Sequence, residues 1–141
     1  MKIVDFRGEY RWLSNFHLVK VTLEGQPYSS TENAYQAAKT LDLDMRRVFR
    51  TCTPSESKRH GKALALRSDW ELVKISIMLD LLRQKFHHSD LKQKLLSTGD
   101  AELIEGNWWN DTFWGVCRGV GQNWLGRLLM QVRSELQSAP Q

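Results

Sequence analysis

Cysteine is almost absent: Cys52 and Cys117 are the only two in 141 residues. Neither stands in a C-x-x-C pair, so the chain has no disulfide framework and both read as ordinary reduced thiols. Long apolar runs are missing too. The N-terminus, MKIVDFRGEYRW, holds nothing like a signal peptide or a membrane span, and the cytoplasm is the expected location. Histidine is scarce, and His17, His60, His87 and His88 build neither H-E-x-x-H nor a Cys/His cluster, so no metal is expected. Gly119-x-Gly121 is followed by Trp124 where a dinucleotide fingerprint needs its third glycine. No phosphate-loop sequence and no G-x-S-x-G elbow occurs.

What is present describes one globular domain, 41% hydrophobic and 26% charged. A formal charge of +4 and a pI near 9.2 point to an anionic partner. The basic residues are scattered, with Arg46, Arg47 and Arg50, then Lys58 and Arg59, then Lys92 and Lys94. Without a dense basic arm, a phosphorylated small molecule and a nucleic acid both fit this balance.

Helix starts are clearly marked. Ser29 to Glu32, Thr53 to Glu56 (with Pro54) and Ser68 to Glu71 each have capping-box spacing. The third opens a helix expected to bury Leu72, Ile75, Leu79, Leu82 and Phe86 on one stripe. A shorter helix is expected over Asp90 to Leu96, closed near Gly99, and a final one capped by Asn123. Strands are expected within Met1 to Phe6 and at Val19 to Leu23, the latter ended by a Gly25-Gln26-Pro27 turn. The fold class is therefore α+β: a predominantly helical single domain over residues 1–137 with a small antiparallel sheet, and a frayed tail at 138–141.

The richest segment is Gly106 to Gly126, which carries four of the six tryptophans and five of the nine glycines. Aromatic surface on turn-rich backbone suits the wall of a pocket for a flat ligand, but tryptophans filling a core are the favoured reading of this segment alone. Three residues carry chemistry. Glu32 shares a helix face with Gln36 and Lys39, and capping explains it as well as catalysis does. Trp70 lies in a first helical turn, where anchoring a core is its common use. Asp111 follows Asn110 in a loop, where such residues often only make turns.

Taken in order, the blocks resemble the YbiA-like, or NADAR, domain family. They are W-L-S-N-F (Trp12 to Phe16), Y-S-S-T-E-N-A-Y-Q-A-A-K (Tyr28 to Lys39) and L-R-S-D-W-E-x-V-K (Leu66 to Lys74). L-I-E-G-N-x-W-N-D-x-F-W-G (Leu103 to Gly115) and G-x-N-x-L-G-x-L-L-M-x-V-R (Gly121 to Arg133) follow. The resemblance implies an N-glycosidase acting on ribose attached to nitrogen. Its substrates would be phosphoribosylamino-pyrimidine intermediates of riboflavin biosynthesis, with removal of ADP-ribose from guanine as the alternative. A non-catalytic ADP-ribose or NAD reader is a further alternative, and stable binding to unmodified nucleic acid is not expected.

The resemblance also implies roles. Glu32 would stabilise the developing ribosyl cation, Asp111 would bind ribose hydroxyls or assist proton transfer, and Trp70 would stack on the base, with Trp114 as second candidate. Lys39, Lys62, Arg67 and Lys74 would meet the phosphate end, with the Arg67 fork best shaped for it. Asn15, Asn107 and Asn123 fall in the same blocks as further substrate-binding candidates. No cofactor is implied. The chain departs from the family after the last aromatic block: where many relatives continue W-G-D-G-x-x-G, it reads Trp114-Gly115-Val116-Cys117-Arg118-Gly119.

Overall fold

The computed structural model describes residues 1–139. The chain sorts into two compact units, one built from Asn15–Lys85 and the other from Met1–Ser14 together with the chain from Phe86 onward. Among the described residues, no helix is long and apolar enough to cross a membrane.

The Asn15–Lys85 unit opens with an antiparallel hairpin, β1 (Leu18–Leu23) and β2 (Gln26–Ser30). Its turn is Glu24-Gly25, both with positive φ (50° and 83°), the geometry that matches strand twist in two-residue hairpins. The turn thus falls earlier than expected, and Gln26 and Pro27 are already strand. Four helices follow: α1 (Thr31–Ala37), α2 (Leu43–Arg47), α3 (Pro54–Gly61) and α4 (Trp70–Lys85). α1 is buried along its whole length. The Asn33 amide holds it to the following segment by donating to Phe49 O (2.8 Å) and Cys52 O (2.7 Å).

The capping box at α3 forms in full: Glu56 N–H donates to Thr53 Oγ1 (3.1 Å), and Thr53 N–H donates to Glu56 Oε1 (2.9 Å). The other two do not form as read. At α1 the cap is Ser30, so the third helical position is Asn33 rather than Glu32. At α4 the Asp69 carbonyl accepts from Leu72 and Val73, while Glu71 pairs with Lys74. The buried face of α4 also differs from the expected stripe, consisting of Trp70, Met78, Leu81, Leu82 and Lys85, whereas Leu72 is 87% exposed. Polar residues such as Glu71, Lys74, Asp80 and Arg83 are interspersed around the helix, so its periodicity selects no face. Tertiary contacts select it instead: Gln84 donates to Thr22 O (2.9 Å) and accepts Thr22 N–H (2.7 Å), docking the helix on β1.

The second unit holds two parallel strand pairs; the first strand lies within the segment expected to be extended at Met1 to Phe6, and the other three were not signalled by the sequence. The pairs are β3 (Lys2–Ile3) with β4 (Glu102–Leu103), and β5 (Gly106–Asn107) with β6 (Val116–Cys117). A 3₁₀ segment (Gly8–Leu13), α5 (Ser89–Ser97) and α6 (Trp124–Ser138) complete it. Trp12 packs edge-on against Phe86 at 6.2 Å. Asn123 precedes α6 but makes no side-chain cap. Its side chain accepts Glu105 N–H (2.9 Å) and donates to Leu103 O (2.9 Å), bracketing the β4–β5 connection instead. In the expected tail, Ser138 still ends α6 and Ala139 is extended; residues 140 and 141 lie outside the described residues.

Candidate active site

Glu32 sits in the first turn of α1, 8% exposed, on a helix whose start is already satisfied. Ser30 Oγ accepts Asn33 N–H (3.1 Å) and donates to Asn33 Oδ1 (2.6 Å), so the Ser30–Asn33 pair does the capping. Glu32 N–H donates to the Asn15 carbonyl (3.0 Å). Its carboxylate accepts the Gln36 amide one turn on (Nε2 to Oε2, 3.0 Å). Capping therefore does not account for this acid. A buried carboxylate held by a neutral donor keeps a fixed charge in a low-dielectric setting.

Gln36 was noted in the sequence only as sharing Glu32's face; the structure makes it the acid's partner. It is 4% exposed and packs on Gly61, where an added Cβ would fall 1.8 Å from Gln36 Oε1. Only glycine leaves room for the amide there. The i, i+4 spacing signalled the pair, but nothing local signalled that α3 would lie against it.

Lys39 lies near the same carboxylate, and three further lysines gather about Lys39. Burial lowers the Lys39 pKa, the Glu32 charge raises it, and Lys58, Lys62 and Lys74 push it down again. Lys39, Lys62 and Lys74 thus come together as expected, joined by Lys58. Lys39 Nζ lies 5.6 Å from the centre of the Tyr35 ring, and that ring packs against Trp70 at 5.3 Å, tilted by 52°. Trp70 is only 5% exposed. Arg67 is engaged: its Nε and Nη2 hold both oxygens of Asp69 (2.6 and 3.1 Å), and its backbone N–H donates to Lys39 O (2.8 Å). The fork read as a phosphate clamp is thus spent on pinning the start of α4. Asn15 is 9% exposed, with its amide on Met78 Sδ and its Oδ1 lacking a partner.

The remaining candidates lie in the second unit. Asn107 clamps the Asp111 loop, accepting Asp111 N–H (3.1 Å) and donating to Asp111 O (2.9 Å) and to Glu105 Oε2 (3.1 Å). Asp111 Oδ1 accepts the backbone N–H groups of Phe113 (3.2 Å) and Trp114 (2.9 Å), so one oxygen shapes the turn. Trp114 is half-buried and edge-on to Phe113 at 4.9 Å. Trp108 and Trp109 are 61% and 41% exposed, so these two rings do not fill a core.

Comparison with known proteins agrees with the blocks. Residues 5–137 match the model of the NADAR domain. The chain is 37% identical over 133 residues to N-glycosidase YbiA of Escherichia coli, covering 91% of this chain and 82% of that protein. It is 37% identical over 131 residues to riboflavin biosynthesis protein VVA0006 of Vibrio vulnificus, where the match spans 89% of this chain and 35% of that protein. The NMR structure of E. coli YbiA superimposes with a TM-score of 0.84 at 34% identity, over 97% of this chain and 84% of that one. Fold and sequence agree along almost the whole length, and the chain belongs to the NADAR domain family.

Proposed function

We propose that this protein is an N-glycosidase that hydrolyses the C1′–N bond of a ribosylated base or amine, with phosphoribosylamino-pyrimidines as its substrate class. The observation that carries the reading is Glu32: a buried carboxylate, free of capping duty, held by Gln36 and near Lys39, about which three further lysines gather. When the C1′–N bond breaks, its electron pair leaves with nitrogen and positive charge builds on the ribose. Glu32 stabilises that charge and takes a proton from the water whose oxygen bonds to C1′. The departing nitrogen is protonated, giving free ribose phosphate and an amine. The lysines meet the phosphate, and with Arg67 paired to Asp69 and Lys74 to Glu71 the task falls first to Lys39 and Lys62. Asp111 is assigned to the ribose or the leaving nitrogen, and Trp70, 5% exposed, and Trp114, half-buried, are the candidates to stack on a flat base. The setting is cytoplasmic.

The test is mass-spectrometric detection of the released amine or base from phosphoribosylamino-uracil, ADP-ribosyl-guanosine and NAD. Release from the first alone supports the reading, and release from the second alone moves the substrate to ADP-ribosylated guanine. Binding of ADP-ribose with no turnover of any of the three would make the protein a reader.

Two variants probe the supports of the site. Gly61→Ala drives a methyl group into Gln36, so the Glu32 carboxylate loses its donor and shifts. Turnover falls by about tenfold to a hundredfold, as expected for misplacing a reacting group by about an ångström. Unchanged kinetics in a folded Gly61→Ala protein would mean that Gln36 has no part in placing Glu32. Asp111 has a turn role and a proposed chemical role, which Asn and Ala separate. Asn preserves the acceptor for the Phe113 and Trp114 N–H groups but removes the charge, whereas Ala removes both. The chemical role predicts a roughly hundredfold slower Asp111→Asn enzyme of unchanged melting temperature. Slowing in Asp111→Ala alone would leave only the turn.

A further inference from the structure

The departure at Val116 to Arg118 lines a cavity. Among the described residues, it opens within the second unit with a volume of about 440 Å³, in the range of small-molecule sites. Its floor is backbone. Gly106 passes so close to Val4 that a Cβ there would fall 2.2 Å from the Val4 carbonyl oxygen. Its walls are cationic and aromatic. The Arg7 guanidinium lies 4.6 Å from the centre of the Trp108 ring and is steadied by Asp5 (3.1 Å). Trp108 still leaves 61% of its surface exposed.

Arg118 faces the same cavity from a rigid mount. Arg118 and Gly119 both have positive φ (52° and 78°), and their turn is closed by two backbone bonds: Cys117 N–H to Val120 O (2.8 Å) and Val120 N–H to Cys117 O (3.0 Å). Left-handed backbone at a non-glycine residue costs about 1 kcal/mol, and such strain gathers at sites where a side chain must be aimed. The cavity thus offers two guanidinium groups against one carboxylate, beside an indole with open surface.

We infer that this cavity is a binding site for a nucleoside monophosphate, a planar base beside Trp108 with its phosphate on Arg118 and Arg7. Guanidinium forks match phosphate oxygens, and an indole face accepts any base. The volume holds one nucleotide rather than a strand, and the chain's basic residues do not extend into a track for one. Val116 stands where many relatives carry the aspartate of W-G-D-G. The inference concerns binding and not cleavage, and the cavity shares with the N-glycosidase reading only Asn107, which also clamps the Asp111 loop.

The test is an amide chemical-shift titration with adenosine monophosphate, adenosine and inorganic phosphate. It is run in the Glu32→Gln background so that turnover cannot consume the ligand. Saturable shifts centred on Gly106, Asn107 and residues 116–119 are expected with the nucleotide, and weaker ones with either half. Trp108→Ala and Arg118→Asn should each weaken the nucleotide by roughly tenfold or more. Asparagine tolerates the left-handed backbone, so the second change removes charge and keeps the turn. Absence of saturation at millimolar nucleotide, or equal affinity in both variants, would overturn the inference. So would tighter binding of a single-stranded oligonucleotide with a steep salt dependence, which would make this a nucleic-acid surface.

Discussion

Replacing Glu32 by Gln leaves the fold standing and lowers kcat/KM by about 10²–10⁴-fold, the usual consequence of losing a group that stabilises charge and moves a proton. The fold survives because Ser30 and Asn33 cap α1, and the Glu32 backbone N–H that donates to Asn15 O is kept in the variant. The new amide keeps an oxygen to accept the Gln36 donor, so the pair persists without its charge. That charge has a second reporter in Lys39. Burial already lowers the Lys39 pKa, with Lys58, Lys62 and Lys74 pushing the same way, and the Glu32 carboxylate opposes them. Removing the carboxylate therefore lowers the Lys39 titration midpoint further, which a pH series of the Lys39 side-chain resonance reads directly. Lost turnover together with a lowered Lys39 midpoint and an unchanged melting temperature places the defect in the charge itself. Full activity in the Gln variant would reduce Glu32 to a structural residue and remove the central support of the proposed hydrolysis.

The parts of the fold that were legible in the sequence are those whose causes are local. Thr53, Pro54 and Glu56 specify the start of α3 among themselves, and Gly99 closes α5 by its own positive φ (64°). The start of α1 was read one residue early because Ser29 and Ser30 are chemically alike; the choice between them is made by β2, which runs through Ser30. The two parallel pairs are only two residues long each, and one of them joins Lys2–Ile3 to the distant Glu102–Leu103, so no alternating pattern announces the pairing. At the site, Glu32 and its i+4 neighbour were visible, but the Gly61 surface against which Gln36 lies belongs to another helix. Arg67 is a different case. Its partner Asp69 is only two residues away and takes two arms of a largely buried fork, whereas the Arg7–Asp5 pair uses one nitrogen and leaves its guanidinium exposed. Trp108 and Trp109 show the limit of composition: tryptophan usually fills cores, and here two of six stay in solvent.

Lys85→Met makes the protein more stable in neutral and acidic solution, and the advantage shrinks as pH rises. Lys85 has no exposed surface, and burial pulls its pKa from 10.5 to about 7. Below about pH 7 both folded and unfolded chains carry the proton, so the fold bears a net cost for burying the ammonium. Between there and 10.5 the folded chain releases the proton while the unfolded chain keeps it, and stability climbs with pH. Over that window the shift corresponds to about 5 kcal/mol, taking about 1.4 kcal/mol per pKa unit. Methionine has similar length and no charge, so its stability carries no such slope. Urea unfolding of both proteins at about pH 6 and about pH 9 should show the gap between them closing by about 3 kcal/mol. Parallel stability curves would mean that Lys85 remains charged inside the fold, held by its surroundings rather than discharged by burial.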